Sequence, residues 1–318
     1  MREQGYYRQV WKKFKKNRLA MTGFYTAVIM GFIAVAAPVI ANNRPIIART
    51  RSGEVIFPFL NTGMGYKDRD YTFEINPLIP YSPSEYDLDS VLIAPSVKHF
   101  FGTDDRGRDV ASRLVYGARI SLSIGFVAVS IYVFIGLVLG SVAGYFGRKV
   151  DIVISRLIEI MICFPTFFLI ITIIAYLPSS IYNIMIVIGI TGWTGVARLI
   201  RGEIFKIKNI DYVYSARALG VSADRIIFKH ILPNAIGPVL VSATFGIAGA
   251  ILVESSLSFL GFGVQPPTPS WGEILFQAKQ YLSWWLVIFP GLAIFITITS
   301  FNLVGEGLRD AIDPKFSK

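Results

Sequence analysis

Apolar residues along this chain are gathered into long blocks separated by polar and charged stretches. A helix that crosses a bilayer needs ~20 mostly apolar residues. Six blocks are that long: about 19–41, 120–146, 152–177, 181–200, 236–260 and 282–305. The pattern predicts an all-α membrane protein of six transmembrane helices. Residues 1–18 read as a cytoplasmic basic helix at the membrane interface, with Tyr7, Trp11 and Phe14 at helical spacing among lysines. Residues 19–41 read as helix 1, 42–118 as an extracytoplasmic insertion and the approach to helix 2, and 119–318 as a core of helices 2–6. Residues 42–98 are rich in Pro, Tyr, Asn and charge without a helical period, which predicts an irregular or β-containing cap.

Composition supports a membrane class. The chain of 318 residues is 53% hydrophobic and 16% charged, against roughly 25% charged in a soluble domain. The net charge of +10 does not point to nucleic acid, because of where it sits. Residues 1–18 hold seven Lys/Arg and one Glu directly before an apolar block, the positive-inside arrangement. The loop 201–235 carries six Lys/Arg against three acids, and the 147–151 turn holds Arg148 and Lys149, so both should be cytoplasmic. Residues 42–118 carry nine basic and ten acidic residues and should be outside. Both termini are then expected in the cytoplasm. Ala34-Val35-Ala36 resembles a signal-peptide cleavage site, but the apolar run is longer than a typical signal core. One cysteine, Cys163, excludes a disulfide within the chain.

The most informative loop is 211–233. It is basic and amphipathic, too polar to cross a bilayer and too short to be a domain. Two short helices joined at Gly220 are expected, with Gly220 supplying the positive φ of a helix end. Tyr212, Ser215, Ala216 and Leu219 fall on one face, and small Ser215 and Ala216 would let a partner approach. Ser222 suits the N-cap of the second helix, with Asp224 in its first turn and Pro233 helping to end it.

Elsewhere, Gly136, Gly140 and Gly144 recur every fourth residue, as close helix packing in lipid requires. Pro165 and Pro290 can kink their spans. Arg156 and Glu159, three apart, suit a local ion pair. Glu254 is the sharpest charge inside a span. It lies 18 residues after Ile236, ~27 Å along a helix, near the outer edge of the apolar core. With Ser255 it is either a gate or pathway group, or a packed carboxylate tied to backbone amides of the following loop. No catalytic set is found. A G-x-x-x-x-G-K-[ST] phosphate loop and a G-x-S-x-G elbow are both absent, and His99 and His230 fall on opposite predicted sides of the membrane, so no histidine metal cluster is expected. The three carboxylates within Gly102–Asp109 argue against a phosphate site there.

These stretches resemble a family. Tyr214-Ser215-Ala216, Gly220 and Leu232-Pro233 are similar to the cytoplasmic E-A-A-x-x-x-G…L-P loop of ABC-transporter permeases, although the glutamate and first alanine are missing. Gly102-Thr103-Asp104, Gly107-Arg108-Asp109 and Ser112-Arg113 resemble the G-T-D-x-x-G-R-D-x-x-S-R stretch of the dipeptide/oligopeptide/nickel permeases, C-type subunit. Tyr116 to Leu122, Glu254 to Gly263 with Val264-Gln265-Pro266-Pro267, and the ending Gly307-Leu308-Arg309-Asp310 with Asp313-Pro314 extend the similarity over about residues 99–318. The resemblance implies a type I ABC importer permease. It implies as partners a second homologous permease subunit, two ABC ATPase subunits, an extracytoplasmic solute-binding protein and membrane lipid. ATP and Mg would be bound by the ATPase partners and no cofactor by this chain. Coupling to the ATPases would fall to Asp211, Tyr212, Ser215, Ala216, Leu219, Gly220, Ser222, Arg225 and Pro233. Peptides are the expected cargo, with nickel chelates or other small solutes as alternatives. An ion-coupled secondary transporter would need ion ligands at mid-membrane or inverted repeats.

Overall fold

The computed structural model describes residues 3–50, 54–60 and 71–313. Pro314 and the Tyr7 side chain, both noted above, lie outside what is described. The chain is mostly helical. In order it forms α1 (Glu3–Lys16), α2 (Arg18–Ile40), strands β1 (Ile47–Thr50), β2 (Val55–Ile56) and β3 (Tyr71–Ile75), then α3 (Val110–Phe146), α4 (Arg148–Cys163), α5 (Thr166–Ala175) and α6 (Ile181–Ile207). After these come α7 (Asp211–Ala218), α8 (Ala223–Arg225), a π-turn (Ile226–Ile231), α9 (Leu232–Phe259), α10 (Trp271–Tyr281) and α11 (Trp284–Ile312).

Among the described residues five helical runs are long and apolar enough to cross a membrane: α2, α3, α6, Ala223–Phe259 and α11. α4 and α5 make a sixth if counted together, bent by 80°. The bend has a local cause. Phe164 precedes Pro165 and has φ −95°, ψ 127°, because the proline ring excludes the α region from the residue before it. Pro165 therefore breaks its span, whereas Pro290 is carried inside a continuous α11. Arg156 and Glu159 form an ion pair on the exposed face of α4.

Helix α3 begins at Val110, ten residues earlier than the apolar block at 120. Its first turns carry Ser112 and Arg113, which hydropathy reads as loop. Both are buried and partnered, so their polarity is no obstacle to a helix there.

The chain divides into two compact units. The first comprises Met1–Thr26, Ile124–Val253 and Ile298–Lys318. Within it, α3 lies against α6 through the glycine series: a Cβ on Gly136 would meet Val196 Cβ at 2.6 Å, on Gly140 the Ala197 carbonyl at 2.5 Å, and on Gly144 the Ile204 Cβ at 2.9 Å. Phe14 of α1 is buried with Ala20 and Ala311, surrounded by Val10, Met21, Phe24, Val304 and Leu308. Asn17 Oδ1 accepts from the Ala20 N–H at 3.1 Å, capping α2 one residue after α1 ends.

The second unit comprises Ala27–Ser123 and Glu254–Thr297. It holds the β-containing insertion, an antiparallel sheet of order β2-β1-β3. Ala48 of the central strand is fully buried and pairs with Ile56 and Glu74. The Asn42 N–H to the Ile79 carbonyl (3.1 Å) and the Ile79 N–H to the Ile40 carbonyl (2.9 Å) tie the insertion to the end of α2.

Candidate functional site

In the first unit, α7 is set by contacts on both sides. At the end of α6, Arg201 pairs with Asp151 of α4 through two contacts, Nη2 to Oδ2 at 2.8 Å and Nε to Oδ1. Lys208 Nζ donates to the Gly144 carbonyl at 2.9 Å, satisfying one of the orphan acceptors at the end of α3. Burial, reinforced by nearby Arg217, holds the Lys208 ammonium below its ordinary pKa. Arg217 lies over the Tyr145 ring at 5.3 Å. Val213 and Ala216 are buried, and this pair faces the protein.

The exposed face of α7 is Tyr212, Ser215 and Leu219, the last 84% exposed. Ala216 does not belong to it. One turn separates it from Tyr212 and Leu219 on paper, but α7 leans inward along the 213/216 side, so of the pair Ser215 and Ala216 only Ser215 lies on the outer face. Tyr212 Oη donates to the His230 carbonyl at 3.2 Å, and Asn234 Nδ2 donates to the same carbonyl at 2.8 Å. Asp211 stands in the first turn of α7, where a carboxylate meets the positive end of the helix.

Gly220 has φ +77°. The Val221 N–H reaches the Ala216 carbonyl at 3.1 Å and the Gly220 N–H reaches Arg217 at 3.0 Å. These two bonds are the 6→1 and 5→2 closures of a Schellman stop. A Cβ at Gly220 would meet nothing within 4 Å, so the backbone angle alone calls for glycine.

The second half of the loop departs from expectation. Ser222 occupies the N-cap position of α8, but its side chain makes no capping bond. Pro233 does not end a short helix. The π-turn passes straight into α9, with the Leu232 N–H bonded to the Ile227 carbonyl. One extra residue in the turn shifts the hydrogen-bond ladder by one place, so a proline lacking its N–H fits without a break. Ile226, Ile227 and Ile231 are buried, while Arg225, Phe228 and Lys229 are exposed. Ser222, Arg225, Phe228 and Pro233 line an open groove of about 890 Å³.

In the second unit Glu254 is fully buried. Its carboxyl accepts from Ser258 Oγ at 2.8 Å, Ser121 Oγ at 3.1 Å and Ser255 Oγ at 3.4 Å. The partners are hydroxyls, not the backbone amides expected of the packed arrangement. The following loop is reached at one remove, where the Val264 N–H donates to Ser258 Oγ at 3.1 Å. Ser255 faces inward beside Glu254.

Beside this cage lies a knot of buried charge. Arg108 Nε donates to Asp104 Oδ2 at 2.7 Å, Arg113 Nε lies 3.2 Å from the same oxygen, and Arg113 Nη2 pairs with Glu273 of α10. All four side chains are buried. Asp109 Oδ1 accepts from the Ser112 N–H at 2.7 Å and so caps α3. Its Oδ2 lies 3.0 Å from His99 Nδ1. Burial pushes the Asp109 carboxyl above its ordinary pKa, with the Ser112 amide and His99 opposing. Trp271 Nε1 donates to the Leu114 carbonyl at 3.0 Å, its indole lying where a Cβ on Gly117 would stand 2.9 Å away.

Residues 136–318 match the family model described as "Binding-protein-dependent transport system inner membrane component". The chain belongs to this family of membrane permeases. Residues 5–51 match the N-terminal TM domain of oligopeptide transport permease C. A dipeptide transport system permease protein DppC of Alkalihalophilus pseudofirmus is 39% identical, over 97% of this chain and 90% of its own length. DppC of Escherichia coli is 38% identical over 98% and 93%, and the oligopeptide transport system permease protein OppC of Bacillus subtilis is 34% identical over 97% and 91%.

In this permease, the residues singled out from sequence are split. Tyr212, Ser215, Leu219, Gly220, Ser222 and Arg225 gather at one exposed loop. Glu254 and Ser255 are enclosed in the other unit. Sequence reasoning missed Lys208, which ties the loop to the end of α3, and Glu273, which balances Arg113 from 160 residues away. A lysine directly after an apolar helix was a legible signal for the first; nothing local marks the second.

Proposed function

We propose that this permease is one of two homologous membrane subunits of an ATP-driven importer of dipeptides or oligopeptides, and that it forms half of the translocation pathway. Support comes from the relatives, which are named as dipeptide and oligopeptide transport permeases and align over nearly the whole chain. One observation carries the coupling role: α7 buries Val213 and Ala216 against its own protein while offering Tyr212, Ser215 and an almost fully exposed Leu219 outward. An exposed leucine held on a stopped, anchored helix suits a protein contact. ATPase subunits of the complex dock on this face and on the groove at Ser222, Arg225, Phe228 and Pro233. They hold ATP and Mg²⁺, and their opening and closing moves the loop as a rigid body. The permease spans the inner membrane six times with both termini in the cytoplasm. A solute-binding protein delivers peptide from outside.

The test is reconstitution. The chain is co-expressed with a sister permease, the ATPase pair and the binding protein, and uptake of labelled dipeptide into proteoliposomes is followed. ATP-dependent uptake is expected. Flux that continues without ATP, or purification without any nucleotide-hydrolysing companion, would sink the reading.

A further inference from the structure

The second unit contains a cleft of about 450 Å³, within the size range of small-molecule sites. One wall is the loop carrying Asp105, Arg106 and Arg108, and another is α10 with Glu273, Phe276 and Gln277. Two polar groups of this lining are buried and incompletely used. Arg108 gives Nε to Asp104 at 2.7 Å and turns Nη2 to Asp105 at 3.5 Å, but its Nη1 has no partner. Gln277 gives Nε2 to Glu273 at 2.6 Å, but its Oε1 has none. Leaving a buried donor and a buried acceptor unmatched is costly, and here the two belong to one cleft.

The charge of the lining narrows what would match them. Asp105 and Glu273 offset Arg106 and Arg108, so neither a bare anion nor a bare cation is drawn in. The matching ligand is a neutral group that offers an acceptor to a guanidinium N–H and a donor to an amide carbonyl. A peptide bond offers both. Phe276 supplies an apolar surface for a neighbouring side chain. We propose that this cleft binds the main chain of the peptide cargo, with Arg108 Nη1 and Gln277 Oε1 as its hydrogen-bonding pair. The proposal rests on the peptide-import reading and adds a cargo contact in the unit that holds the insertion.

The test uses the reconstituted importer. Gln280 is exposed at the cleft rim. Gln280→Cys in a Cys163→Ser background provides one thiol there, and its rate of labelling by a maleimide is measured with and without tetra-alanine. Peptide is expected to slow labelling several-fold, and free alanine at equal residue concentration is not. Gln277→Met keeps the volume and removes the free carbonyl, together with the Nε2 bond to Glu273; Gln277→Glu, which keeps an acceptor but not the amide donor, separates the two losses. The methionine variant should abolish the protection and raise KM for peptide about tenfold, the worth of one good hydrogen bond, with kcat unchanged. Import that proceeds with no protection of Gln280→Cys would mean that the cleft holds only ordered water, and would overturn the proposal while leaving the import reading intact. This arm does not depend on the folding of either Gln277 variant. A complex that imports no peptide at all would overturn both.

Discussion

Gly220→Asp isolates the role of the loop. The backbone there has φ +77° with open space around the missing Cβ. A side chain therefore meets no clash but takes on the left-handed penalty of roughly 1–2 kcal/mol. A carboxylate at the C-terminal end of α7 adds about 0.3–1 kcal/mol of unfavourable dipole interaction. The sum is well below the ~5–15 kcal/mol that holds a folded domain, so the protein should accumulate in the membrane normally. It is large for α7 itself, which has eight residues and cannot stand as a helix without its anchors. If the strain is relieved by opening the turn closed by Val221 and Ala216, the docked geometry of Leu219 is depleted roughly 10–150-fold, at a factor of ten per ~1.4 kcal/mol. Peptide uptake in proteoliposomes should fall by that factor while ATP hydrolysis by the complex persists. Gly220→Ala should lie between, since it carries the strain without the charge. Wild-type uptake by Gly220→Asp, at equal protein in the membrane, would refute the coupling role.

Glu254→Ala removes the acceptor shared by Ser121, Ser255 and Ser258 and should lower the melting temperature by the equivalent of about 1–3 kcal/mol. Glu254→Gln should recover most of that loss, and unchanged melting of the alanine variant would argue against the cage. Glu273→Ala leaves the buried Arg113 with only Asp104, whose Oδ2 Arg108 already shares, a loss of about 3–5 kcal/mol, so the variant should accumulate poorly; a normal yield would contradict the knot as described. Because burial raises the Asp109 pKa in the fold, its contribution to stability is complete below its unfolded pKa and declines as pH rises through the folded one. Asp109→Asn should remove that decline on the acid side, seen as a smaller pH slope in melting temperature. A tag inserted near residue 70 should be reachable from outside in intact cells, and labelling only after permeabilisation would invert the proposed orientation.

Much of the architecture was legible because hydropathy is a local property. Blocks of apolar residues marked α2, α6, α9 and α11, and basic clusters marked their flanks. Gly220 was also legible, since a left-handed stop asks for glycine whatever surrounds it. The early start of α3 was not, because Arg113 looks like loop until Asp104 and Glu273 are seen to neutralise it. The inward turn of Ala216 was hidden for a related reason: an alanine suits a buried and an exposed face equally, and only packing chooses between them. The passage from the π-turn into α9 across Pro233 was not legible either, because the turn is set by which residues are buried, here Ile226, Ile227 and Ile231. Glu254 was marked as unusual by its charge inside an apolar run, but of its partners only Ser255 and Ser258 are local, while Ser121 comes from α3, 133 residues away. Length and polarity are written residue by residue, whereas the pairing of buried charges and the face a small helix buries are properties of distant segments brought together.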